Sequence, residues 1–349
     1  MGDSYRETFG RFLDFLERRP RKETMVGLIV DSPWLPGYAG VDAMDFFFDP
    51  CVWLAVHEWL LEDLPGAVFL PGAWIEFGMA AEPSGWACRV QWNHQGPPAI
   101  HPFPGGLDLL LEAPSPDPEK EGLMPLILRR YEGLTPRLEE MDFLPRVAAA
   151  RGPLAVAAHL LGVTEFLMAM KMEPEKIRSL LERTTRLCVA WLRAQLERMQ
   201  EPVGVLVLDD LVGMMGPKDA GTFALPYLKE VFQAFPGLLR LFHNDTPNEK
   251  VFPLLAELKL DVFNFSHQTS LARARELLGP HVVLMGNLPP LDLLVRGKPD
   301  QVKEAVRRIL EELDQVGPVL LSPGGGVSPG TPVENLQAML EVLKERGEA

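Results

Sequence analysis

The run LRLFHND (239–245) is apolar until its end, where it delivers His243, Asn244 and Asp245. On an extended chain, residues i and i+2 share one face. The His243 imidazole and the Asp245 carboxylate are therefore expected to project to the same side. A neutral imidazole beside a carboxylate suits a borderline divalent ion, most often zinc. Other apolar runs also finish in polar residues. VGVLVLDD (203–210) ends in Asp209 and Asp210, VFNFSHQ (262–268) in Ser266, His267 and Gln268, and VVLMGN (282–287) in Gly286 and Asn287. AVFL (67–70) leads into PGAWIEFGMAAE, with Trp74, Glu76, Phe77 and Glu82, and RVAAARG leads into AVAAHLLG, with His159.

Each of these residues also has a plainer reading. Asp209 or Asp210 is the type of residue that caps a following helix. His159 fits a satisfied histidine on a helix face, and His267 fits a cap or a packing role. Glu82, before Pro-Ser-Gly, reads as solvated. Trp74 and Phe77 read as core or pocket wall. The His243–Asp245 pair is the hardest to reduce to packing.

The elements that must position these groups are eight short apolar runs. Besides those above they are VGLIV (26–30) and VLLSPGG (319–325). Most lack period-two alternation, the mark of strands buried on both faces in a parallel sheet. Helical patterns lie between most of them. RVAAARG, being Ala-rich, reads equally well as helix. Eight strands alternating with helices is the count of a TIM-like (β/α)8 barrel, whose chemistry gathers where the strands finish. A doubly wound sheet is the main rival, but no strand-to-helix G-x-G-x-x-G is present. The expected organisation is one barrel domain over residues 1–349. It has an N-terminal helical extension (1–20) and an insertion near 84–120, made of a hairpin and Pro/Gly-rich connections.

The chain has 349 residues, 47% of them apolar, with a net charge of −14 and a pI near 5.0. So acidic a chain is a poor fit for nucleic acid or anionic lipid. Three scattered cysteines give neither a disulfide framework nor a thiolate zinc cluster. The N-terminal segment lacks the apolar core of a signal peptide, and no apolar run is long enough to span a bilayer. A soluble, cytoplasmic protein is expected.

MGNLPPLDLLVRGKPDQVKEAVRRIL, followed by VLLSPGGGVSPGTPVENLQAMLEVL, resembles the uroporphyrinogen decarboxylase superfamily. LVLDDLVGMMGPKDAGTFALPYLKEVF and RGPLAVAAHLLG resemble it as well, so the motifs cover roughly residues 150–345. The resemblance implies a TIM-like barrel. It also implies either of two activities: cofactor-free decarboxylation of uroporphyrinogen, or zinc-dependent methyl transfer involving corrinoid proteins. The sequence departs from both patterns. The decarboxylases' Arg-rich segment is replaced by VGLIVDSPWLPGYAG. Their Asp, Tyr, Ser and His positions fall near Glu76 and at His159, Asp210 and Gly325. The methyltransferases' two cysteine positions fall at Asp245 and Gly325, while their histidine is retained as His243.

A two-thiolate zinc site is thereby excluded. What remains is a His/carboxylate site of His243 and Asp245, joined by Glu76, Asp209 or Asp210. Oxygen ligands leave zinc a harder Lewis acid, suited to polarising an ether or phenolic oxygen. The resulting expectation is a methyltransferase that passes a methyl group from a small donor, such as an aromatic methyl ether, to a corrinoid protein. Asp210, His159 and His267 would serve catalysis, His159 or His267 by donating a proton or hydrogen bond to the leaving oxygen. Trp34, Trp74, Phe77 and Asn287 would contact the donor. The alternatives are a decarboxylase for a less anionic substrate and a non-catalytic tetrapyrrole- or corrinoid-binding homologue.

Overall fold

The computed structural model describes residues 4–347. Eight parallel strands form the sheet: β1 (Thr24–Ile29), β2 (Val68–Leu70), β3 (Val147–Arg151), β4 (Gly204–Leu208), β5 (Leu239–Asn244), β6 (Val262–Phe265), β7 (Val283–Leu288) and β8 (Val319–Pro323). Their order is β2-β1-β8-β7-β6-β5-β4-β3, and every pairing is parallel. The result is a nearly closed TIM-like barrel whose seam lies between β2 and β3. RVAAARG forms strand β3, so the Ala-rich ambiguity resolves to strand. Its small side chains lie buried on both faces, where backbone pairing to β4 outweighs helix propensity.

Register divides the strands into two faces. Ile29, Val68, Leu70, Val147, Ala149, Leu206, Leu208, Leu241, Val262, Val283, Met285 and Leu320 fill the barrel interior. The alternate residues, including Val26, Phe69, Val205, Phe242, Phe263 and Leu321, join the layer beneath the surrounding helices. Both faces are thus apolar, which is why the strands lack alternation.

Helix α1 (Tyr5–Arg18) starts at a Ser4/Glu7 capping box. It packs Phe9, Phe12, Phe15 and Leu16 into the interior cluster. Its contacts are to the beginnings of strands: Arg146 lies over the Phe9 ring, and Arg19 pairs with Asp261. The helix therefore closes the barrel floor. Tyr5 also dresses the open edge of β2, its hydroxyl donating to the Phe69 carbonyl and accepting from the Phe69 amide, both at 3.1 Å. That supplies the pairing an absent neighbouring strand would have given.

Between residues 84 and 120 the chain forms a two-stranded hairpin (Val90–Gln91 with Ala99–Ile100) and the helix Gly106–Glu112. The hairpin is strapped to the region after β1. His94 bonds Asp42 at 2.9 Å, and Trp92 packs on Phe47, Phe48 and Phe77. Among the described residues no single helix is long and apolar enough to cross a membrane. Cys51, Cys88 and Cys188 are all free thiols.

Candidate functional site

With the floor closed by α1, the open end of the barrel is the end where strands finish. Arg151, Leu208, His243, Asn264 and Met285 are successive register partners from β3 to β7. Leu208 and Met285 belong to the interior, so the same row turns Arg151, His243 and Asn264 inward as the last polar residues before the loops. Asp245 continues the inward face of β5, and Asp210 that of β4.

Asp210, His243 and Asp245 each offer one donor atom, and these atoms lie within 4.8 Å of one another. His243 is buried, with Nε2 at 3.6 Å from Asp210 Oδ1. Its Nδ1 meets Asn264 Oδ1 at 2.7 Å. The Asp245 amide donates to Asp210 Oδ1 at 3.1 Å, coupling the two carboxylates through the backbone. Desolvation raises the Asp245 carboxyl; His243 opposes this, and the charge of Asp210 adds to it.

The loops carrying these ligands are locked together. Asn244 donates to the Asp209 carbonyl at 3.0 Å, and Asn248 bonds the Gly213 and Met215 carbonyls at 2.9 and 2.8 Å. Gly213 lies so close to Thr246 that no side chain fits there. The Gly-rich turn after β8 completes the wall. Gly325 has φ +129°, and a Cβ there would stand 2.8 Å from Asp245 Oδ2. Asp245 thus occupies the space that a side chain at 325 would need.

Several expected ligands and substrate contacts are placed elsewhere. Asp209 has the opposite parity to Asp210 and points out of the barrel. Fully buried, it accepts from the Leu154 amide at 2.9 Å at the start of α2 (Pro153–Leu161), an earlier helix and not the one that follows it, and it does not join the triangle. Burial raises its carboxyl to about 8. Glu76 is held by the amides of Ser32, at 2.9 Å, and Gly78, and does not join the triangle. Trp34 is buried in the outer layer, stacked on Tyr38, with Nε1 donating to the Thr331 carbonyl at 2.9 Å. Phe77 is buried between Phe47 and Trp92. Both aromatics are core, because they face the helical layer and not the mouth.

Trp74 does reach the interior, beneath the Arg151 guanidinium at 5.3 Å. Asn287 is partly buried, its side-chain amide donating to the Thr269 carbonyl at 2.6 Å. His159 lies on α2, and burial and then Arg151 lower its pKa. His267 stands behind the β8 turn: a Cβ on Gly324 would strike its backbone.

Three residues escaped sequence reasoning. Asn264 is a lone polar residue inside an apolar run, two positions before Ser266 and on the same face, and that spacing was a usable signal. Arg151 ends β3 and brings a cation into the mouth, so the mouth is not purely acidic. Asp31 follows β1, and its carboxyl is raised to about 7 by burial and by Glu76, with Arg151 and His243 pulling it back. Glu82, which reads as solvated in the sequence, is buried and accepts from the Arg151 amide at 2.9 Å.

A parallel eight-stranded barrel with a carboxylate–imidazole triangle at its open end defines the class. The profile of the uroporphyrinogen decarboxylase (URO-D) family matches residues 69–346, and the chain belongs to that family. It is 26% identical over 298 residues to a methylated-thiol–coenzyme M methyltransferase of Methanosarcina mazei, covering 82% of this chain and 77% of the relative. It is 27% identical over 229 residues to a methylcobamide:CoM methyltransferase of Methanosarcina acetivorans, covering 64% of each. A uroporphyrinogen decarboxylase of Thermus thermophilus is 28% identical over 209 residues, covering 58% of this chain and 60% of the relative. The solved structure of a methyltransferase from Methanosarcina mazei superposes with a TM-score of 0.80 at 20% identity, covering 97% of this chain and 98% of that one. This last likeness concerns the fold.

Proposed function

We propose that this protein is a metal-dependent methyltransferase. It moves a methyl group from a small donor, in the manner of an aromatic methyl ether, to a corrinoid carried by a separate protein. The observation that carries the reading is the Asp210–His243–Asp245 triangle at the barrel mouth. It belongs to a chain whose relatives include proteins named methyltransferases. One imidazole and two carboxylates fit a divalent ion such as Zn2+. Bound there, the ion supplies a Lewis acid that takes up charge on the donor oxygen.

The chain's own side chains do the rest. Asn264 and the loop hydrogen bonds hold the triangle in shape. Trp74 and Arg151 form one wall, where an aromatic ring finds a flat partner and an anionic substituent finds a cation. In this reading His159 or His267 would protonate or hydrogen-bond the leaving oxygen, and Asn287 would contact the donor. The test is single-turnover methyl transfer from a panel of methyl ethers and methyl thioethers to a reduced corrinoid, with metal analysis alongside. Metal at one equivalent and transfer abolished by His243→Ala are expected. Full activity of a metal-free His243→Ala protein would end the reading.

Arg151 favours one second reading, decarboxylation of a carboxylate-bearing substrate anchored by that guanidinium. Carbon dioxide release without added corrinoid would identify it, and loss of that release in Arg151→Met would support the anchoring.

A further inference from the structure

Asn264 sits on β6 facing into the barrel, 1% exposed and in register with His243. Two hydrogen bonds determine which way its amide points. Nδ2 donates to the Met285 carbonyl of β7 at 3.0 Å and to the Pro323 carbonyl of β8 at 3.2 Å. Turning the amide over would set its oxygen against both carbonyl oxygens. Oδ1 therefore faces Nδ1 of His243 at 2.7 Å. An amide oxygen only accepts, so the hydrogen of that bond belongs to Nδ1. The neutral ring then carries its lone pair on Nε2, the atom turned toward Asp210.

We propose that Asn264 is a positioning residue: it holds His243 as the Nδ1–H tautomer, so that Nε2 is the atom offered to a divalent cation. This rests on the metal reading above and adds to it a residue outside the ligand set. A free imidazole exchanges between two tautomers and turns about its side-chain bonds. A fixed acceptor on one nitrogen removes both freedoms before the ion arrives, and losing such a partner weakens metal affinity by roughly 10- to 100-fold. The same amide also fixes the geometry of the second ligand. Its bond to Pro323 holds the start of the Gly324–Gly325 turn, and that turn backs the Asp245 carboxylate. One buried side chain thus sets His243 directly and Asp245 through the turn.

The experiment uses metal-free full-length protein labelled with 15N-histidine, with His243 assigned by its absence in His243→Gln. Long-range proton–nitrogen spectra are expected to show a protonated Nδ1 and a bare Nε2 in the wild type. Asn264→Ala is expected to lose that state, and its Zn2+ and Co2+ affinities, measured against a chromophoric chelator, to fall roughly 10- to 100-fold. An Nε2–H tautomer in the wild type overturns the proposal, and this arm stands even where the variant does not fold. The same Nδ1–H tautomer in Asn264→Ala also overturns it. The expected tautomers with no cation bound by either protein would support the positioning of His243 and count instead against the metal reading.

Discussion

A cation held by Asp210, His243 and Asp245 binds the folded chain alone, because its ligands come from the ends of two strands separated in sequence. Such a ligand stabilises the fold by about 2.7 kcal/mol at a hundred times its Kd. Unfolding entropy of about 2.1 cal/mol/K per residue gives about 0.7 kcal/mol/K for a chain of 349 residues. Dividing one by the other predicts a rise in Tm of about 4 °C on adding Zn2+ at that excess. His243→Ala should abolish the shift. Asp245→Asn separates ligation from general stability. The raised Asp245 carboxyl contributes stability below the ordinary carboxylate range that is lost as pH climbs through its folded value. At pH 8 the metal-free Asp245→Asn protein should therefore be at least as stable as the wild type, while its metal-induced shift shrinks. Differential scanning fluorimetry on chelator-treated protein measures both. The reasoning fails if Zn2+, Co2+ and Mn2+ leave the wild-type Tm unmoved, or if His243→Ala keeps the full shift.

Two further outcomes test the placement of neighbouring groups. The Asp209 carboxyl, raised to about 8 by burial, gives stability that is full below its unfolded value and lost as pH rises toward 8. Asn keeps an acceptor for the Leu154 amide, so Asp209→Asn should gain on the wild type in urea unfolding between pH 6 and pH 9. The metal shift should be retained; its loss would return Asp209 to the ligand set. Gly325→Ala meets both a φ of +129° and the Asp245 carboxylate, and should cost about 1–3 kcal/mol and reduce the metal shift. An unchanged urea midpoint would show that the turn has room to spare.

The barrel was legible because eight parallel strands buried on both faces leave continuous apolar runs, and LRLFHND and VFNFSHQ are such runs with polar tips. The His243–Asp245 pair was legible for the related reason that strand parity is local. What the sequence hid is parity beyond a strand end. Asp209 and Asp210 are adjacent and chemically identical, yet one turns outward to cap α2 and the other inward to the mouth. Only the pairing of Leu208 with His243 tells which is which. Aromatic residues hid for a different reason. Trp34 and Phe77 lie in loops, where no periodicity indicates whether a ring meets the mouth or the helical layer.

A side chain at position 325 and a carboxylate at 245 compete for one volume. The φ of +129° at 325 and the nearness of the Asp245 carboxylate both favour glycine there. The charge of the mouth bears on the decarboxylase reading. Arg151, held against Trp74, brings a cation to the mouth. One guanidinium among Asp31, Glu76, Asp210 and Asp245 cannot neutralise a polycarboxylate. The same acidic mouth becomes serviceable once a divalent ion offsets two of those charges. Physical chemistry thus favours a small donor of low negative charge over a porphyrinogen.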